Sequence, residues 1–578
     1  MFKNYFISAF RNIIKGKGYT LLNIFGLATG MGVALLVGLW VYHEYSYDKF
    51  LPNYKQLYKV QRNFDSNGEI LTFSSTSLKL AETLRSQVPE IEYVVESDYM
   101  NAHGLMVGDK RLLSHGGIVG NDFFKMFPYP FVKGNAQASL KDPYSIVLTE
   151  STALSLFGKE DPVNKLVRFD NHENLKVTGI IKDIPSNSSL SFQFIVPFSL
   201  KDQTDAEIRE MRTGSFGNNN FQQFVQLRQG SSYERVLEKI KNIEKTETNN
   251  INAMKSEVIL QPFANIHLYG NYENGVEVGG FVEYVKMFSI IGIMVLLIAC
   301  INFVNLTTAR SEKRAKEVGI RKAIGSLRRD LILQFLIEST LLAFLSFIVC
   351  LFLVQMVLPF FNTLTGSDIV IPFSNSLFWL IALGGILVVS LLAGSRPAFY
   401  LSSFKPEKTL KGALHLGRNA SIPRKILVVL QFSCSVALII STIIVYQQIQ
   451  YARERPTGYR LNRLMITGIN GDLEKNYTAL KNDLLKQGLI DNITTSSSPA
   501  TGIYWHADIE NWPGKYAGET VEMGIMMVDE EYFKTMGMQV ATGRDFIEGT
   551  DSNTVIFNEA AIKRLRLKQP LSQSVTWN

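Results

Sequence analysis

The sequence runs to 578 residues, 46% hydrophobic and 19% charged, too apolar for a disordered chain and too polar for one wholly embedded in a membrane. A net charge of +7, from 59 Lys and Arg against 52 Asp and Glu, is dilute for a nucleic-acid binder of this length. Cys300, Cys350 and Cys434 each sit in an apolar run, which excludes a disulfide framework and a zinc cluster, and the seven histidines show no metal-ligand spacing.

Residues 1–18 carry Lys3, Arg11, Lys15 and Lys17 ahead of the first long apolar run, 19–42, which predicts a membrane span. A cleaved signal peptide is the alternative, but the run is longer than a signal core and no small-residue cleavage site follows. Gly26 and Gly30 form a Gly-x3-Gly pair that would let another helix approach closely.

The segment 43–283 reads as mixed α and β. Leu80, Leu84 and Val88 share one face of a predicted helix over 78–88 that Pro89 stops. Residues 105–107 and 110–113 flank Gly108-Asp109, a hairpin whose first turn residue suits a II′ turn. Strands are expected over 177–184 and 221–227, and Ser232 is placed to cap a helix running to Lys245. Asn187-Ser188-Ser189 fits a glycosylation acceptor and equally a polar turn. Together these give an α+β domain of about 240 residues.

Four more spans are predicted at 284–306, 331–358, 377–400 and 426–446. The links 307–330 and 401–425 are rich in Lys and Arg, whereas 359–376 has none, so the positive-inside rule puts the N-terminus and both basic links in the cytoplasm. The segment 43–283 and the tail 447–578 are then extracytoplasmic. Read as a helix, the link 307–330 aligns Ile320, Ile324, Leu327 and Leu331 in one apolar stripe flanked by Arg321, Lys322, Arg328 and Arg329. Such a helix suits either the lipid surface or a cytoplasmic partner.

The tail repeats the first domain. VGNDFFKMF at 119–127 matches VDEEYFKTM at 528–536, and SIVLTESTA at 145–153 matches TVIFNEAAI at 554–562, both at a spacing of 409. DPVNKLV at 161–167 then faces QPLSQSV at 569–575 after a slip of one residue. Three matches in order imply a tandem duplication, each copy a span followed by an α+β domain. At that spacing a second unit would end near residue 810, roughly, so the sequence is expected to be a fragment lacking about three helices.

No catalytic motif is found. GALHLGRN at 412–419 has phosphate-loop glycines but Arg-Asn where Lys-Ser/Thr should hold phosphate and magnesium, and no strand precedes it. The chain is therefore expected to be no enzyme, with no catalytic residue, metal or cofactor of its own.

The stretch from Cys300 to Ser339, CINFVNLTTARSEKRAKEVGIRKAIGSLRRDLILQFLIES, resembles the hallmark of FtsX/MacB-type ABC transporter permeases. SRPAFYLSSFKPEKTLKG resembles that family's fourth-helix exit. GLATGMG, HEYSYDKFLPNYKQLYKV and VTGIIKDIPSNSS resemble its first helix and MacB-like periplasmic core domain. The resemblance spans nearly the whole chain and is nearest the tandem eight-helix form common in Bacteroidota. It implies an α-helical transmembrane bundle with α+β periplasmic core domains in the bacterial inner membrane. ATP and magnesium would be held by a separate cytoplasmic ABC ATPase, whose movement is passed to the periplasmic domains. Arg310, Glu317, Gly319, Arg321, Lys322 and Gly325 match the ATPase-coupling motif. Glu338 matches a Glu early in the third helix. An ionisable group inside a span is a functional candidate, and pairing with an interfacial Arg or Lys is its structural alternative. A periplasmic adaptor, an outer-membrane channel and membrane lipids complete the implied partners. The function so implied is export of a peptide, lipoprotein or toxic small molecule. The alternatives are a non-transporting regulator of a periplasmic cell-wall hydrolase or envelope-stress scaffold, and a ligand sensor, which lacks a cytoplasmic stretch long enough for an output domain.

Overall fold

The structure, a computed structural model, describes residues 7, 9–11, 14, 17–66, 68–313, 318, 320, 322–324, 326–402, 418–469, 471–519 and 521–577. It divides into a helical unit, Met1–Tyr47 with Phe281–Glu454, and an α+β unit, Asp48–Gly280 with Arg455–Asn578.

Among the described residues, five long helices make the helical unit: α1 (Lys17–Tyr45), α2 (Val282–Lys313), α3 (Arg328–Thr365), α4 (Ser376–Ser402) and α5 (Arg418–Glu454). α1, α2, α3 and α5 each hold a stretch long and apolar enough to cross a membrane, and α4 adds an apolar run over Ser376–Leu392. Leu27, Ala28, Phe303, Ala343, Phe347 and Ile386 are buried between them, while Leu22, Phe352, Leu380 and Ile439 face outward. Apolar side chains on both sides of a helix are what a hydrocarbon surround permits. α3 ends at Gly366, which takes the left-handed conformation that caps a helix C-terminus, and Asn362 bonds both the N–H and the C=O of Ile369 beyond it.

Of the two glycines expected to admit a neighbouring helix, one does so. A Cβ on Gly30 would lie 2.3 Å from the Ala299 Cβ of α2, so the α1–α2 approach needs glycine there. Gly26 lies on the exposed side of α1 with nothing near its missing Cβ, a correction to the paired reading. Positions four apart share a face only approximately on a straight helix, and Gly26 falls off the contact line.

The first copy of the α+β unit is built on one twelve-stranded mixed sheet. Its strands are β1 (Leu57–Ser66), β2 (Glu69–Phe73), β3 (Ile91–Ser97), β4 (Asn101–Val107), β5 (Lys110–Val119) and β6 (Phe131–Lys133). They continue with β7 (Ser145–Thr149), β8 (Leu166–Phe169), β9 (Glu173–Ile181), β10 (Phe194–Pro197), β11 (Gln222–Leu227) and β12 (Ser256–Pro262). The order is β10-β7-β9-β8-β4-β5-β3-β11-β1-β12, and β10 also pairs parallel with β5, which curls one end of the sheet back on itself. β7 runs parallel to β9, as the intervening helix Glu150–Phe157 allows.

The local sequence signals account for much of this. Ser77 caps the helix Leu78–Gln87, accepting from the Leu80 N–H, and Leu80 and Leu84 are fully buried. Gly108, at φ +58°, and Asp109 form the two-residue turn between β4 and β5. The helix capped by Ser232 is shorter than expected: it ends at Ile240, and the chain turns through Glu244–Thr246 so that the Lys241 C=O can accept from Val258 of β12. β9 starts and stops earlier than the expected 177–184, because past Ile181 the Lys182 N–H turns to the Pro130 C=O.

The second copy holds β13 (Trp505–Asn511), β14 (Glu522–Ile525) and β15 (Thr576–Trp577) in the order β14-β13-β15, over a small core of Ile509, Trp512, Val521, Leu565 and Leu567.

Candidate functional site

The residues matched to the coupling motif run from the last turn of α2 into the link before α3. Arg310 is in the last turn of α2, while its side chain, and Glu317, Gly319, Arg321 and Gly325, lie outside the described residues. Lys322 is described, helical and half-buried. The link is not one helix carrying a continuous stripe. Helical residues reach Ala323, Ile324 is in a turn, and Leu327 is extended ahead of α3. Asp330 in the first turn of α3 favours a fresh start there, since a carboxylate stabilises a helix N-terminus. Ile320, Ile324 and Leu327 are exposed whereas Leu331 is buried, so the expected stripe is split between an outward and an inward part.

Glu338 is buried on α3, one turn from buried Gln334 and beside buried Ser339. A Cβ on Gly394 of α4 would meet the Ser339 hydroxyl at 2.7 Å, so α3 and α4 pack backbone-close at this polar band.

A second constellation, missed in the sequence, lies where the chain leaves α1 and starts the α+β unit. Asp48 is fully buried and takes a left-handed backbone, φ +59°, which non-glycine residues adopt only when their surroundings impose it. Its Oδ1 accepts from the Ser189 N–H at 2.8 Å and its Oδ2 from the Ser189 hydroxyl at 2.5 Å, while its own N–H donates to the Asn187 C=O. Burial pushes the Asp48 carboxyl up to about 6, although the two Ser189 bonds and the charge of His267 pull the other way. The neighbouring Ser188 hydroxyl donates to the Leu190 C=O, so the Tyr129 hydroxyl, 3.2 Å away, must donate to Ser188. Five residues on, Asn53 bonds the Met126 C=O and the Gln226 side chain, and Leu51 and Leu57 are buried in an aromatic core with Phe123, Phe124, Phe127 and Phe263. Ser189 belongs to the Asn-Ser-Ser sequence, which the structure makes a bonded turn.

A charged cleft of about 350 Å³ lies farther along the same domain. Arg212 reaches Asp202 through Nε (2.8 Å), Glu82 through Nη1 (2.7 Å) and Glu96 through Nη2 (3.0 Å), and Arg85 bonds Glu82 and Glu96 as well. Burial works against the Arg212 charge, but the bonds to Asp202 and the charges of Glu96 and Asp202 outweigh it and hold it above the ordinary guanidinium range. The five groups satisfy one another, so the network ties the helix Ala206–Thr213 to Leu78–Gln87 and β3 rather than presenting an open charge. No local pattern signals it, because its members are spread from residue 82 to residue 212.

The profile of the MacB-like periplasmic core domain matches residues 20–243, and that of the FtsX-like permease C-terminal domain matches 289–406. The chain is 23% identical over 357 residues to a macrolide export ATP-binding/permease protein MacB of Haemophilus ducreyi, an alignment covering 59% of this chain and 46% of that one. The chain thus spans about half the length of that relative. It is 21% identical over 416 residues to an uncharacterized ABC transporter permease of Methanocaldococcus jannaschii, covering 70% of this chain and 96% of the other. A crystal structure of a permease-protein domain from Porphyromonas gingivalis aligns over 37% of this chain and 93% of its own, at 21% identity and a TM-score of 0.31. With a MacB-like periplasmic core inserted between apolar helices and an FtsX-like permease domain after it, the chain is FtsX/MacB-like, built on the plan of ABC transporter permeases of that type.

Proposed function

We propose that this chain is the permease subunit of an ATP-driven exporter or mechanotransmitter. A separate cytoplasmic ATPase binds the link between α2 and α3, with Arg310, Glu317, Gly319, Arg321, Lys322 and Gly325 contacting or shaping the docking surface. ATP and magnesium sit on that partner. The N-terminus is cytoplasmic, and movement of the helices is delivered to the periplasmic domain, driving efflux or release of a peptide, lipoprotein or toxic small molecule. An adaptor and an outer-membrane channel would extend the path, and Glu338 lines the polar band between α3 and α4.

The observation that carries this reading is the order of parts in one chain: a MacB-like core between the first two apolar helices, then FtsX-like helices with a basic link between the first two of them. Exposed Ile324 and Leu327 add apolar surface to that link, of the kind a protein partner covers. Copurification of the tagged chain with the ATPase of a neighbouring reading frame tests it. Wild type is expected to bring the ATPase down and stimulate its turnover, and the double variant Glu317→Ala/Arg321→Ala to lose most of that stimulation, about tenfold, equivalent to ~1.4 kcal/mol of coupling. Failure to recover an ATPase, with stimulation unchanged in the variant, would sink the reading.

A further inference from the structure

Along the chain, movement of α1 reaches the α+β unit through the residues that follow Tyr45, so what holds that stretch decides how much movement is delivered. Three kinds of contact hold it. Leu51 and Leu57 are buried in the aromatic core, and Asn53 bonds the C=O of Met126 and the side chain of Gln226. Ahead of both comes Asp48, the first residue of the α+β unit, with its carboxylate closed on both donors of Ser189 and its N–H on Asn187. His267, close enough for its charge to act on the Asp48 carboxylate, lies in the segment that leads through the pair Asn271–Glu273 and Val276–Gly279 to α2. The loop of Asn187 and Ser189 joins β9 to β10, two strands that both pair with β7 in the body of the sheet. The positive φ at Asp48, in a residue with no exposure, is strain kept in place by these bonds.

We propose that Asp48 is a positioning residue that latches the exit of the first span to the 186–190 loop, beside the segment leading to the second span, so that both spans move the periplasmic domain as one lever. The inference rests on the permease reading above. An aspartate is suited to this because its one carboxyl group accepts from a backbone N–H and a hydroxyl at once, which ties it to the loop at two points. Hydrophobic burial of Leu51 and Leu57 resists unfolding but is non-directional. The carboxylate bonds are directional and hold Asp48 in one orientation against the loop.

The test uses the full chain with its copurified ATPase in lipid nanodiscs, comparing hydrogen exchange with and without ATP in wild type, Asp48→Ala, Asp48→Asn and Ser189→Ala. Asp48→Ala is expected to keep the ATPase bound and to raise exchange over 46–54 and 187–191 by about tenfold, leaving β1, β11 and β12 unchanged. It is also expected to lose the ATP-dependent change in the periplasmic domain that wild type shows. Asp48→Asn, which retains one acceptor for the Ser189 N–H, should restore most of that change, and Ser189→Ala should fall between. An ATP-dependent change preserved in Asp48→Ala overturns the latch, and so does exchange raised evenly across the whole sheet, which marks a role in folding alone. If the wild-type chain itself binds no ATPase, the permease reading fails first.

Discussion

In the first copy of the repeat the helix Phe123–Met126 buries Phe123 and Phe124 completely, whereas in the second the helix Tyr532–Met536 buries Tyr532 but leaves Phe533 half-covered. The two helices start at equivalent residues, and each carries an i,i+3 ion pair, Asp122 with Lys125 and Glu531 with Lys534. Helices begin at Glu150 and at the matching Glu559. The antiparallel trio β5-β4-β8 has its counterpart in β14-β13-β15, although the hairpin turn of two residues in the first copy becomes the stretch 512–521 in the second. The strand β7 has no counterpart: Val555–Phe557 is not in a strand. In the first copy β9 and β10 flank β7 and satisfy its backbone on both sides. Short helices and the hairpin are encoded by their own residues, whereas a strand exists only where a partner satisfies its backbone.

The largest effect that tests this contrast is in the cores. Phe124→Ala removes a fully buried ring packed edge-on to Phe131 and should cost about 3–5 kcal/mol, while Phe533→Ala at the matching position should cost less than half of that, roughly. Region-resolved hydrogen exchange in denaturant reads the two separately. Equal losses would mean that the second copy is packed as tightly as the first.

Acid separates the copies in sign. Asp48 titrates at about 6 in the folded state against 3.8 for a free carboxyl, because it is buried. Its folded form holds a proton more readily than its unfolded form, so this group destabilises the domain at neutral pH. The domain gains stability as pH falls from about 6 toward 4, by up to about 3 kcal/mol. Ser189, Tyr129 and His267 face it. Asp551 in the second copy is bonded bidentately by Arg544 and to the Ile547 N–H, and is held down at about 2. It contributes stability above the free carboxyl value, lost as pH falls through about 2. Stability measured from pH 7 to 2 should therefore lose its rise between 6 and 4 in Asp48→Asn and its steepest fall below 4 in Asp551→Asn. The same profile in both variants would erase the distinction.

What could be read in the sequence follows the same division. The apolar runs, the Leu80–Leu84 helix face, the Gly108-Asp109 turn and the repeat are local, and each falls where its own residues put it. Ends set by distant partners were displaced: the helix after Ser232 stops at Ile240 for the sake of β12, and β9 stops at Ile181 where Lys182 turns to Pro130. Sites assembled from far-apart residues left no local trace. Asp48 and Ser189 are 141 positions apart and Arg212 and Glu82 are 130 apart, so only the folded register brings them together. One clue was present: the Tyr-Asp-Lys-Phe and Asn-Ser-Ser stretches were both among the segments resembling the family, and they prove to touch.

The smallest expected effect bears on why the ion pair recurs. Lys125 and Lys534 are substantially exposed, and an exposed i,i+3 pair contributes at most about 0.5 kcal/mol because water screens the attraction and two long side chains must be held still. Lys125→Ala and Lys534→Ala should each change stability by less than that, and by less again at high salt. Recurrence of the pair is then inherited with the helix rather than demanded by the fold. A loss above about 1 kcal/mol at Lys534 alone would show instead that the second copy, with its smaller core, leans on surface electrostatics where the first relies on buried rings.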